Sequence, residues 1–375
     1  MSNSLTRRDF LRATAALGAV AATGGILAAC TSGASGLLTP GASAPGAATP
    51  GASSTGLAAG SGSTGQLTYQ CSTGVFAQAE ISAWINPFSQ ATGITVTPDQ
   101  RDPTTDLLKT AVDTANYSFD MTLAFTGIPQ ADWPNYFEKL DFSLIPKDEM
   151  DPAWVRDYWC VTDIAAEVFA YNLDATKGVA PESLADFFDL TKFPGKRSME
   201  DNYATAYAWA LMADGVAPDK LIPYDVPRAQ KKLAAIKDKI VWFQTGTQTQ
   251  EFMASGETPI GITWNGRAMA AAQSGSNVKV LWNPQILTYD RTVILKGTPN
   301  RDAAMQFFGY ITSKDHSGEL TKYVPYVPAN KDATIDPAMK DWVPRLDQPA
   351  FIPDYDYWDS TYDQLNPGFQ AFKTS

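Results

Sequence analysis

The stretch Gln66–Gln100, QLTYQCSTGVFAQAEISAWINPFSQATGITVTPDQ, decides how the rest of the chain is read. QLTYQCSTG alternates in polarity and ends in small polar residues, which predicts a short strand. The run from Ala77 sets Ile81, Trp84, Ile85 and Phe88 on one helical face, and Gly93 supplies a stop. ITVTPDQ follows as a second strand, so the segment is a strand–helix–strand unit.

The scheme recurs. Asp106–Gly127, DLLKTAVDTANYSFDMTLAFTG, reads as a helix and a strand ending at Phe125 and Thr126. Asp163–Asp174, DIAAEVFAYNLD, reads as a buried strand leaving a first lobe. Val226–Gln273 and Val278–Ser313 again alternate helices and strands, and no repeat of 20 to 50 residues is visible. Alternation of this kind predicts an α/β fold with a mainly parallel sheet, whose ligand crevice lies at the carboxyl ends of the strands. Ser72, Thr73, Phe125 and Thr126 stand at such ends. With 375 residues the chain exceeds one ordinary core, which predicts two lobes.

Composition narrows the function. A formal charge of −11 argues against nucleic acid, which is held by basic surfaces. One histidine, His316, leaves a His-rich metal site impossible and His-dependent catalysis resting on a single residue. No CxxC pair occurs among Cys30, Cys71 and Cys160.

The N-terminus predicts export. Arg7 and Arg8 precede a short Ala/Gly-rich run, as in a twin-arginine signal, and the run ends in LAAC, Leu27–Cys30, which resembles a bacterial lipobox. Residues 1–29 are then a signal peptide and Cys30 the lipidated anchor. Residues 30–65 are almost wholly Gly, Ala, Ser, Thr and Pro, which predicts a flexible tether with a reach of roughly 33 Å. In an exported protein a disulfide between Cys71 and Cys160 is plausible but not compelled; two small buried residues are the alternative.

Several pieces, INPFSQATGITV, FAYNLD, FPGKRSMED, IGITWNGRA and YDRTVILKGTPNRDAAMQFFGYI, together resemble the extracellular solute-binding proteins of ABC importers, particularly the polyamine-binding branch. The resemblance runs over most of residues 66 to 330. It implies a two-lobed periplasmic-binding-protein fold with hinge strands and a ligand cleft between the lobes. Lobe 1 is then 66–171 plus 290–327, and lobe 2 is 172–289 plus 328–375. It also implies a permease and an ATPase as partners, a small-molecule ligand, and a place in the periplasm or on the outer face of the cytoplasmic membrane. No catalysis and no cofactor are implied.

Carried over by position, the family's tryptophan is Trp264, followed by Asn265, and its later aspartate is Asp290 beside Tyr289. Where the family resembles Trp-Thr-Glu, this chain has Ser72, Thr73 and Gly74. Where two acids open a helix, it has Asn202 and Thr205, with Glu200 and Asp201 close enough that a shift of register restores one. Arg267 stands where the family often has Ser or Asp. A dication would face this fixed positive charge, whereas a ligand with one amine and one carboxylate sets its carboxylate on Arg267 and its ammonium on Asp290. Trp264, Phe125 and Tyr289 would cover the aliphatic span, and Tyr326 is a further lining candidate. Relatives with Trp-Asn-Gly-Arg resemble γ-aminobutyrate binders, so an ω-amino acid is the leading ligand class and a polyamine the alternative. Arg267 as a solvated charge, or bridged to Asp290, is the plain structural reading. Tyr323 with Tyr326 as an iron site, an acidic calcium loop at Asp354–Asp359, and a secreted hydrolase using paired carboxylates are weaker readings; the acidic tail is expected to pack on the second lobe with a solvated face.

Overall fold

The computed structural model describes residues 65–124, 127–348 and 350–375. The signal, Cys30, all of the tether but Gly65, and the positions Phe125 and Thr126 lie outside the described residues.

β1 (Gln66–Gln70) is followed by one long helix, α1, made of Gly74–Glu80, a π-helical turn at Ile81–Ile85 and Asn86–Thr92. The wide turn falls just before Pro87, whose missing N–H would otherwise leave a gap in the regular ladder. Gly93 closes the helix at φ +76°, donating to the Ser89 carbonyl at 3.0 Å. β2 (Thr95–Asp99), α2 (Thr105–Asp113) and β3 (Met121–Leu123) complete the first α/β layer, with β1 parallel to both of its neighbours.

Two long strands then span the molecule, β4 (Cys160–Asn172) and β8 (Val278–Ile294). Between them lie β5 (Arg197–Glu200), α3 (Tyr203–Ala213), α4 (Val226–Ala234), β6 (Ile240–Phe243), α5 (Gly246–Ser255), β7 (Ile260–Trp264) and α6 (Asn265–Gln273). After β8 come α7 (Arg301–Thr312), the short β9 (Val327–Pro328) and the C-terminal α8 (Tyr355–Thr374). The sheet order is β2-β1-β3-β8-β4-β7-β5-β6, with β9 on β4. The outer strands are parallel in each wing, and β4 and β8 run antiparallel through the middle.

The apolar side chains form two large cores. Trp84, Phe88, Met121, Phe307 and Leu320 belong to the first, and Phe187, Tyr207, Trp209, Leu233 and Phe369 to the second. β4 changes core between Val168 and Phe169, and β8 between Ile286 and Leu287. Glu167 pairs with Ile286, so both strands cross at one level, where the β4–β8 register also shifts. The tail is divided: Ile335 and Val343 pack on the first core, while Phe351, Trp358 and Phe369 enter the second. Asp359 of α8 forms a buried ion pair with Arg291 of β8 at 2.8 Å, so this part of the tail is not the solvated face expected from its acidity.

Candidate ligand-binding cleft

Where parallel strands end, first-turn N–H groups and loop side chains face one another across a crevice. Here they line a partly open cavity of about 240 Å³. β1 leads to Ser72 and Phe76, β2 to Asp102, β5 to Glu200 and Asn202, β6 to Gln244 and Gly246, and β7 to Trp264 and Arg267. The crossing strands present Ala165 and Glu167 from β4 and Thr288 and Asp290 from β8, at alternate positions as a pleat requires. Tyr326 and, from α8, Tyr355 and Trp358 complete the wall.

Arg267 lies in the first turn of α6 and is only 4% exposed. Its Nη2 donates to the Thr73 carbonyl oxygen at 3.0 Å, while Nε and Nη1 have no partner. The guanidinium sits between two glycines. A methyl on Gly246 would stand 2.3 Å from Nε, and one on Gly74 2.9 Å from Nη1. Among the ion pairs of the described residues Arg267 has none, so it is neither solvated nor bridged to Asp290. A buried cation with free donors facing a cavity is costly unless an anion completes it.

The acids come in pairs. Asp290 is pushed up to about 7 by burial, with Asp163 hydrogen-bonded to it. Asp163 is raised further by burial and by the Asp290 charge, while Thr162 donates to its Oδ2 at 3.0 Å. Glu200 is likewise pushed up to about 7 by burial, beside Glu167, which burial and the Glu200 charge raise well above the usual carboxylate range. Each pair therefore holds a proton near neutrality, because two adjacent desolvated carboxylates do not both ionise. Glu167 Oε2 accepts from Trp209 Nε1 at 2.7 Å, and Glu200 and Thr205 are its further hydrogen-bond partners. Behind them Glu80, bonded by the Tyr69 hydroxyl at 2.6 Å, is raised to about 8 by burial against the opposing pull of Arg267.

The family carry-over places one acid in the cleft, Asp290, counts others as lost at 72–74, 202 and 205, and leaves a further acid to a shift of register at 200–201. The cavity is richer than that. Glu200 takes up the position that the register shift allowed, whereas Asp201 turns to an ion pair with Lys373 of α8. Glu167 went unrecognised. Its signal was an ionisable residue within the apolar DIAAEVFAYNLD run, in phase with Asp163 and Ala165.

Ser72, Asn202, Trp264, Arg267, Asp290 and Tyr326 all line the cavity. Asn202 also caps α3, accepting from Ala204 N at 3.0 Å. Three expected residues do not line it. Tyr289 falls on the opposite side of β8 from Thr288 and Asp290 and stacks on Trp159 at 6.4 Å; Tyr355 and Trp358 supply the aromatic wall instead. Asn265 is spent on structure, accepting from Ala166 N and donating to the Pro325 and Trp342 carbonyl oxygens. Thr73 bonds Asp102 through both N and Oγ1, and only its carbonyl meets Arg267. Cys71 and Cys160 are free thiols on different strand ends, so the bridge held open above is not formed. Tyr323 is exposed while Tyr326 is buried, and no group of three metal-ligating side chains occurs among the described residues.

Residues 83–345 match the family of bacterial extracellular solute-binding proteins. The chain is 26% identical over 329 residues to the γ-aminobutyric acid-binding protein of Pseudomonas aeruginosa, covering 84% of this chain and 93% of that one. It is 24% identical over 198 residues to the spermidine/putrescine-binding periplasmic protein of Salmonella typhimurium, covering 52% and 55%. Among solved structures, the Atu4243 γ-aminobutyrate (GABA) receptor superposes with a TM-score of 0.73 at 34% identity, covering 82% of this chain and 97% of that one. A two-lobed α/β frame, a cavity where its strands end and a match over most of its length lead to one conclusion: this chain belongs to the bacterial extracellular solute-binding proteins, the substrate-binding components of ABC transporters.

Proposed function

We propose that the chain captures a small ω-amino acid, of which γ-aminobutyrate is the type, and delivers it to a membrane permease driven by a cytoplasmic ATPase. One observation carries this reading: Arg267 is buried at the cavity wall with two N–H groups lacking an acceptor. A carboxylate fits both the charge and the fork geometry of a guanidinium. Asp290, sharing a proton with Asp163, receives the ammonium, and Trp264 and Tyr355 cover the methylenes. At about 240 Å³ the cavity falls below the range of drug-sized pockets, as a short ligand requires. The relatives that bind γ-aminobutyrate support the same class.

The protein does no chemistry on its ligand; closure of the lobes over the solute is the work. The twin-arginine signal, lipidation at Cys30 and the tether belong to the proposal as the means of holding the receptor outside the membrane. A polyamine is the second reading, favoured by acid pairs at two levels of β4. Titration calorimetry decides. Arg267→Ala is expected to abolish γ-aminobutyrate binding with the fold intact by circular dichroism. Unchanged affinity overturns the reading, and heat with putrescine but with no ω-amino acid installs the polyamine instead.

A further inference from the structure

α8 belongs to the second core through Trp358 and Phe369, and its far end is tied to β5 by an ion pair between Lys373 and Asp201. Trp358 is held on that side twice. Its Nε1 donates to the Tyr224 hydroxyl at 2.9 Å, and its carbonyl oxygen accepts from the Tyr203 hydroxyl at 2.8 Å. Asp359, the next residue, turns the other way. Its Oδ2 accepts from Arg291 Nη1 at 2.8 Å and its Oδ1 from the Gly127 N–H at 3.0 Å. Arg291 stands between Leu287 and Val293 on β8, and Gly127 precedes Ile128; all three of these apolar neighbours lie in the first core.

One turn before Asp359, on the same helical face, Tyr355 makes the same crossing. Its ring lies 4.4 Å from the Arg291 guanidinium, and its hydroxyl donates to the Tyr289 carbonyl oxygen at 3.3 Å. Trp133 of the first core also packs on the guanidinium, at 5.1 Å. The chain enters α8 from the hinge. Phe351 N donates to the Gln285 carbonyl and the Phe351 carbonyl accepts from Leu287 N, at the level where β4 and β8 change core. Arg291 lies five residues past Ile286, about 16 Å along β8. A rotation of the lobes about the crossing level therefore draws Arg291 and Gly127 away from Asp359. Both side chains of the ion pair are at most 1% exposed, so salt screens their attraction far less than that of a surface bridge.

We propose that Arg291 and Asp359 are positioning residues for solute capture: they form an interlobe latch, made when the lobes close, that fixes Tyr355 and Trp358 in the cleft wall. The proposal rests on the reading of the cavity as a solute site closed by hinge motion. Neither Arg291 nor Asp359 lines the cavity, so what they add to affinity they add through α8. A contact made in only one of two states favours that state. Its loss shifts the lobes toward the open form, and the bound solute escapes sooner.

Stopped-flow fluorescence and titration calorimetry of the full chain with γ-aminobutyrate test this, with putrescine as the probe where only the diamine binds. Asp359→Asn keeps the volume and an acceptor for Gly127 but removes the charge that holds Arg291. It is expected to raise the dissociation rate about tenfold while the association rate changes by less than about twofold. A static strut would lower the melting temperature and leave both rates alone, and that result overturns the latch while the ω-amino acid reading stands. If Asp359→Asn melts too early to assay, hydrogen exchange of the unaltered chain decides. The Gly127 amide is expected to exchange about tenfold more slowly with ligand than without it, and equal exchange overturns the latch. A chain that binds neither γ-aminobutyrate nor putrescine overturns the reading of the site, and the latch with it.

Discussion

The two charged ends of the cavity are opposites in chemistry and in how each meets the cost of burial. At one end Arg267 holds two donors without acceptors in a slot made by glycines. At the other, Glu167 accepts from Trp209 and shares a proton with Glu200. Burial acts on them differently. An arginine stays charged and must wait for an anion, whereas adjacent carboxylates reduce their own cost by keeping a proton. Burial therefore leaves the cationic end in need of an anion and the anionic end satisfied by its shared protons.

The largest effect is expected from breaking the cationic end without touching arginine. In Gly246→Ala the new methyl would overlap Nε, so Arg267 must leave its slot; affinity for γ-aminobutyrate should fall by about a hundredfold, or ~2.7 kcal/mol, in calorimetry. Retained affinity would mean that the position of Arg267 is unimportant.

The anionic end should show itself through pH. Asp290 and Glu200 at about 7, and Glu80 at about 8, keep protons that the unfolded chain gives up near pH 4. Between those limits the folded form binds more protons, so stability without ligand falls as pH rises from about 5 to 8, by at most about 1.4 kcal/mol per pH unit for each group. Melting temperatures across that range should decline, and Asp290→Asn should flatten the slope. A melting temperature that climbs from pH 5 to 8 would show that the pairs are ionised in the fold.

The smallest effect sharpens the contrast. Glu167→Gln keeps the acceptor for Trp209 but removes one ionisable partner, so the ligand-free protein should gain about 1 kcal/mol at pH 8 and nothing at pH 5 in urea titrations. Destabilisation at both pH values would mark Glu167 as purely structural.

Legibility followed periodicity. Gln66–Gln100 announced a βαβ unit because apolar spacing and a terminating glycine are local signals, and strand–helix alternation located the crevice at strand ends before any coordinates. Ser72 lines the cavity from such an end and was legible for the same reason, whereas Asn202, Trp264 and Arg267 were placed by the resemblance to the family's motif. Tyr289 was misplaced although the rule needed was in hand: if Asp290 faces the cleft, its neighbour on an extended strand does not. Asn265 belonged to the motif yet serves three backbone groups, which no spacing reveals.

By itself the sequence determined the class of fold, the places where strands end and the presence of an arginine among them, since these depend on neighbours along the chain. Tertiary structure alone decided that α8 supplies Tyr355 and Trp358 to the wall, that Asp359 seeks Arg291 rather than water, and that Glu167 meets Glu200. Each is a contact between distant segments, formed because desolvating one polar or aromatic group requires a partner that only folding brings near.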